Sequence, residues 1–217
     1  MIELALGGGA TRELKFLFLG AHSDDIEIGC GGTILRLAKQ YPRSVFDWVV
    51  FSAAGARKAE AQRSATLFVQ PAQLHSPILK EFQDGFLPYV GAEVKATFEE
   101  LKRTLSPDVV FTHSRKDAHQ DHRLISELTW NTFRNHLILE YEIPKYDGDL
   151  GQPNFFVPLE KDIYEDKVRF LMEAFQTQRN KRWFDPQTFL GLMRVRGMEC
   201  NAASGFAEAF YSRKLVL

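Results

Sequence analysis

Cysteine is nearly absent from this sequence. Only Cys30 and Cys200 occur among 217 residues, and they form no CxxC pair, so neither a disulfide framework nor a thiolate zinc site organises the chain. Both are read as small core residues. No apolar run reaches the ~18 residues of a membrane span, and Met1 to Gly9 lacks the basic region and long apolar core of a signal peptide. The expectation is a cytoplasmic protein without a membrane span. A dominant charge is missing too: 27 basic against 28 acidic residues leave a net charge of -1, which removes the broad cationic surface that nucleic-acid binding requires. Repeats, low-complexity tracts and linker-like compositions are absent. The whole chain, 1–217, is therefore expected to be one domain with a full core.

What is present is an alternation of apolar runs and amphipathic stretches. Leu14 to Ala21 is rich in Leu and Phe with no polar alternation after Lys15, as in a strand buried on both faces. Val45 to Ser52, Asp108 to Thr112 and Leu137 to Ile143 read as further strands, and Phe155 to Val157 as a short one. Helical spacing marks 33–39, 57–68, 93–105, 122–133, 162–178 and 187–196. This order predicts an α/β protein, a Rossmann-like three-layer fold with a mostly parallel central sheet.

Two polar motifs follow two of the strands. The first is Ala21-His22-Ser23-Asp24-Asp25-Ile26-Glu27-Ile28-Gly29-Cys30-Gly31-Gly32-Thr33, read as a loop that hands over to a helix at Thr33, with glycines that let the backbone approach something closely. The second is Asp117-Ala118-His119-Gln120-Asp121-His122-Arg123. Open α/β sheets bind ligands at the carboxyl ends of their strands, so the two motifs are expected to meet there. Two His and one carboxylate would leave a metal position open for water, as catalytic sites need. Of the adjacent carboxylates, one can bind the cation while the other handles a proton. Gly29, Gly31 and Gly32 do not fit the GxGxxG dinucleotide fingerprint. His75 and His136 are read as structural, and His113, at a strand end beside the second motif, as structural with a place on the rim as the alternative.

These motifs resemble the signature of the PIG-L or LmbE-like sugar N-deacetylases, roughly AHPDDxxxGxGG near the start and HxDH in mid-chain. The resemblance runs from about Phe16 to Phe210, including the closing Ala207-Glu208-Ala209-Phe210. Ser23 replaces the usual Pro, and the acid commonly at 26 is found as Glu27 instead. The resemblance implies His22, Asp25 and His122 as metal ligands, Asp24 as general base and acid, and His119 as a cation for the oxyanion, kept protonated and oriented by Asp121. It also implies substrate contacts by Arg57, which sits three residues before Glu60, and by Asp84, which borders the sugar pocket. The turn-rich loop Tyr146 to Pro153 is expected to border the substrate as well.

The implied activity is removal of the N-acetyl group from an N-acetylglucosamine-type sugar or glycoconjugate, with Zn2+, or another divalent metal such as Fe2+, Co2+ or Ni2+, as cofactor. The partner is then a small N-acetylated sugar, with a homo-oligomer also compatible. Two alternatives share the site: an amidase on a larger amide conjugate, and a metal- or sugar-binding homologue without catalysis. The presence of both Asp24 and His119 argues against the binder. The same two-His, one-carboxylate set also suits iron(II) oxygenases.

Overall fold

The computed structural model describes Leu6 and residues 13–216, so the stretch Met1 to Gly9 lies, Leu6 apart, outside the described residues. In chain order the elements are β1 (Lys15–His22), α1 (Asp25–Gln40), β2 (Val45–Ser52), α2 (Ala56–Val69), β3 (Gln73–Leu74), β4 (Ile78–Leu79), α3 (Gly91–Thr104), β5 (Val109–His113), α4 (Gln120–Thr132), β6 (Leu137–Tyr141), β7 (Phe155–Pro158), α5 (Lys161–Ala174), α6 (Pro186–Glu199) and β8 (Ala207–Ser212). The sheet order is β3-β2-β1-β5-β6-β8-β7, with β4 also paired to β2. All pairings from β3 to β6 are parallel; β8 runs antiparallel between β6 and β7. The fold is the expected three-layer α/β arrangement with a mostly parallel sheet.

Strand β1 shows why its run is apolar throughout. Phe16 and Phe18 belong to one buried cluster, whereas Leu17, Leu19 and Ala21 belong to another, as the two-residue period of a strand requires when both faces are covered. Helices α1, α2, α5 and α6 cover the first face and α3 and α4 the second. Among the described residues no helix is long and apolar enough to cross a membrane.

The chain leaves β1 toward β2 on one side and returns through β5 on the other. That reversal opens a crevice at the carboxyl ends of β1 and β5. Both sequence motifs start there.

The first motif differs from its expected form. Helix α1 begins at Asp25 and runs through the glycine cluster, with a break at Cys30 (φ -144°, ψ 18°). The break frees backbone groups, and buried side chains from distant elements satisfy them. Glu208 of β8 accepts from the N–H groups of Gly32 and Thr33 at 2.8 and 2.6 Å. Lys167 of α5 donates to the Ile28 carbonyl at 2.7 Å and to Glu208 at 2.6 Å. The glycines approach side chains rather than a ligand: a Cβ at Gly29 would strike the Tyr141 ring, at Gly31 Phe68, and at Gly32 Leu159 and Glu208. Glycine costs ~1 kcal/mol of helix propensity relative to alanine, and here close packing overrides that cost. Cys30 and Cys200 are both free and buried.

Candidate metal centre

His22 ends β1, and Asp25 opens α1 three residues later. The backbone N–H of His22 donates to Asp25 Oδ2 at 2.6 Å, which folds the short turn back on itself and turns the carboxylate toward the imidazole. Across the crevice, His119 is the N-cap of α4 and His122 lies in its first turn. The first turn of a helix thus presents both histidines on one side of the site.

These turns bring three donor atoms together. His22 Nδ1 lies 3.2 Å from Asp25 Oδ2 and 3.2 Å from His122 Nε2, and His122 Nε2 lies 3.5 Å from Asp25 Oδ2. A tetrahedral metal with bonds of ~2.1 Å needs donor separations of ~3.4 Å, so the triangle fits a divalent cation without rearrangement. Asp25 is almost wholly buried, as is His122, while His22 retains slight exposure. The three could hold a metal ion.

The remaining nitrogen of each ligand histidine is also held. His122 Nδ1 pairs with Asp117 Oδ2 at 2.9 Å, a carboxylate–histidine arrangement that fixes the ring and leaves Nε2 for a metal. His22 Nε2 lies between Asp121 Oδ2 at 3.2 Å and Asp84 Oδ1 at 3.1 Å. Asp117 was not assigned from the sequence, although it stands five residues before His122 in the same motif. Its own support comes from Lys145 Nζ on Oδ1 at 3.0 Å and the His119 backbone N–H on Oδ1 at 2.8 Å. The loop that carries Lys145 also places Asp149 Oδ2 on the backbone N–H of Ala118 at 2.6 Å.

Charge in the crevice is unbalanced. Asp25, Asp84, Asp117 and Asp121 contact the two histidines and Asp24 adjoins them in sequence, with Arg57 and Lys145, among the described residues, as the permanent cations paired to these carboxylates. Burial by itself would lower the His22 pKa, but Asp25, with Asp121 and Asp84, outweighs it and raises that pKa well above the ordinary value. Burial would likewise raise Asp25, yet His122, His22 and His113 hold its carboxyl well below the usual range. The bond to His22 pulls Asp84 down to about 2. A site that concentrates this much negative charge calls for a cation.

Several residues occupy places other than the expected ones. Arg57 donates to Asp24 Oδ1 at 2.6 Å, so its guanidinium holds the neighbouring carboxylate, whose buried Oδ2 has no partner. Asp84 touches a ligand histidine as well as the rim. The Asp121 carboxylate does not serve His119: it accepts from His22 and from the backbone N–H groups of Gly85 and Leu87 at 2.8 and 3.1 Å. His119 is instead oriented by the Asp121 backbone N–H, which donates to its Nδ1 at 3.3 Å. Burial and the adjacent His122 and His22 lower the His119 pKa. A downward shift works against the expected imidazolium, and the bond to Nδ1 leaves Nε2 as the free nitrogen of the ring.

His113 is not on the rim but fully buried. It stacks on His122 with ring centroids 3.9 Å apart, and its Nε2 accepts from the Ala21 N–H at 3.0 Å and lies 3.3 Å from Asp25 Oδ2. Burial and the His122 charge lower its pKa to about 4. Glu27 is buried with neither oxygen partnered, and burial, with Asp24 and Asp25 nearby, pushes its pKa well up despite Ser64.

Residues 17–133 match the sequence profile of the PIG-L family, described as GlcNAc-PI de-N-acetylase. The uncharacterized deacetylase YaiS of Escherichia coli K12 is 27% identical over 157 residues, covering 66% of this chain and 82% of YaiS. Among solved structures, the N,N'-diacetylchitobiose deacetylase of Pyrococcus horikoshii has a TM-score of 0.68 at 19% identity, covering 91% of this chain and 83% of that one. GalB of Pseudomonas putida KT2440, a 4-carboxy-2-hydroxymuconate hydratase, has a TM-score of 0.71 at 18% identity, covering 94% and 98%. A deacetylase and a hydratase therefore share this fold, and the reaction has to be argued from the site.

Proposed function

The chain belongs to the PIG-L family of deacetylases, and from that premise we propose that it is a metal-dependent hydrolase that removes the N-acetyl group from an N-acetylglucosamine-type sugar or glycoconjugate. The products are acetate and a free amine. The observation that carries this reading is the ligand triangle of His22, Asp25 and His122 with an unligated carboxylate, Asp24, next to it in sequence. Zn2+ suits the two-nitrogen, one-oxygen donor set, as do Fe2+, Co2+ and Ni2+. We take residues 1–217 to act as one such domain in the cytoplasm.

When bound, a divalent cation supplies Lewis acidity, polarising the amide carbonyl and lowering the pKa of water toward ~7. The chain's own residues do the rest. Asp24 Oδ2 takes a proton from the attacking water and returns one to the departing amine, while Arg57 fixes the orientation of its other oxygen. His119, with Nδ1 occupied, offers its Nε2–H to the oxyanion that develops on the carbonyl. Asp117 and Asp121 hold His122 and His22 in the required orientation. Arg57 and Asp84, as substrate contacts, would meet sugar hydroxyls from the crevice wall.

The two adjacent carboxylates give the test, with acetate release from a panel of N-acetyl sugars and bound metal measured together. Asp25→Asn is expected to lose metal and turnover. Asp24→Asn is expected to keep metal and lose turnover by about 10²–10⁴. If Asp24→Asn is the variant that emerges without metal, the two roles are exchanged; if wild type with full metal releases acetate from no sugar, the substrate class is wrong.

A further inference from the structure

Between β4 and α3 the chain carries two aromatic side chains outward. Phe86 is 47% exposed and Tyr89 79%, with ring centroids 5.7 Å apart and planes at 55°. Isolated exposed aromatics need no explanation, but this pair stands on backbone fastened to the metal centre. The N–H groups of Gly85 and Leu87, on either side of Phe86, both donate to the Asp121 carboxylate, which also holds His22. Gln120 Nε2 donates to the Gly85 carbonyl at 3.1 Å. Leu87 is fully buried in the core cluster that Phe82 and Val90 also pack against. Pro88 sits in the 3-10 turn Leu87–Val90, and the Tyr89 N–H closes on the Phe86 carbonyl at 2.9 Å. The rings are thus presented by a rigid segment, so an incoming ligand would not have to order it.

Resting on the deacetylase reading, we propose that Phe86 and Tyr89 form a subsite for the sugar ring next to the N-acetylated one, so that the substrate is at least a disaccharide. The platform adjoins the reacting centre, because Asp84, two residues before Phe86, places Oδ1 3.1 Å from His22 Nε2. A sugar ring has a face of C–H bonds with partial positive charge, which complements the negative face of an aromatic ring. Its edge carries hydroxyls, which match the exposed Asp84 and Gln120 beside the rings. An alkyl chain would match the rings but offer nothing to the exposed hydrogen-bonding capacity of Asp84 and Gln120.

Metal-loaded wild type, Tyr89→Ala, Phe86→Ala and Tyr89→Trp are compared on N-acetylglucosamine, on α- and β-linked disaccharides ending in N-acetylglucosamine, and on octyl N-acetylglucosaminide. Acetate release and saturation-transfer NMR binding are both recorded. Wild type is expected to prefer one disaccharide over the monosaccharide. Each Ala variant should raise its KM about five- to tenfold, with kcat and the monosaccharide unchanged, and Tyr89→Trp should retain the preference. No disaccharide preference in wild type, equal losses on both sugars, or an octyl glycoside preference abolished by the same variants would each overturn the subsite. Disaccharide binding that Tyr89→Ala abolishes, without acetate release by wild type, would support the subsite while sinking the deacetylase reading.

Discussion

The two turns that build the candidate metal centre are secured in opposite ways. The His22–Asp25 turn is set from below: the helix it opens has glycines pressed against Tyr141, Phe68 and Leu159, and a buried Lys167–Glu208 pair closes the break in that helix. The Asp117–His122 turn is set from the sides. Lys145 and Asp149 hold it from one loop, and Gly85 and Leu87 hold it from another, through hydrogen bonds that range from buried to exposed. The first turn is therefore bound to the stability of the fold, whereas the second is bound to the loops that border the crevice. Damage to the first should register as unfolding and damage to the second as weaker metal binding.

The largest effect expected to separate them is Gly29→Ala. The added methyl group meets the ring of Tyr141, which is fully buried and donates to the Leu19 carbonyl at 2.7 Å, so neither partner can retreat. Overpacking of this kind costs about 1–3 kcal/mol or more, and urea titration should show that loss with and without metal. Stability equal to wild type would mean that the helix yields and the first turn is not rigidly set.

Asp117→Asn tests the other turn. The amide keeps the shape but removes the charge opposite His122 Nδ1, and metal affinity should fall about 10–100-fold with folding of the metal-free protein little changed. Competition with a chelator measures it. Unchanged affinity would remove Asp117 from the metal centre.

The smallest effect concerns pH and is read on chelator-treated protein. The His113 pKa of about 4 lies below the unfolded value of ~6.5, so the unfolded chain binds more protons between these values. Stability is then complete above pH ~6.5 and declines as pH falls toward about 4, by at most about 1.4 kcal/mol per unit. His22 works in the opposite sense: its raised pKa gives stability present below pH ~6.5 and lost as pH rises through the raised value. A maximum near pH ~6.5 is expected, with His113→Asn flattening the acid limb and His22→Asn the alkaline one. Limbs that persist in both variants would assign the pH dependence to other groups.

The same contrast marks what could be read from the amino acids alone. The strands β1, β2, β5 and β6 were legible because burial on both faces writes itself as unbroken apolar runs, and the two motifs were legible because metal chemistry restricts residue types. The path of α1 through its glycines was not, because the cause is packing against Tyr141, Phe68 and Glu208, all remote in sequence. Strand β8 was seen only as a family feature, since six residues between two neighbours carry little pattern of their own. The orientation of His119 was expected from the carboxylate of Asp121, but the helix cap directs the backbone N–H of that residue toward it instead. Asp117 and His113 needed the third dimension, because only geometry distinguishes a carboxylate that supports a ligand from one that decorates a turn.

The clasp between Glu208 and the N–H groups of Gly32 and Thr33 has a consequence for how the chain reaches its working form. It joins residues 175 and 176 positions apart, so it belongs to the slowest class of contacts to assemble. Without β8 in place between β6 and β7, the two donors at the break in α1 lack their acceptor, and the Lys167 that caps the Ile28 carbonyl lacks its counter-charge. The shape of the candidate metal centre therefore depends on a contact that neighbouring stretches of chain cannot make among themselves.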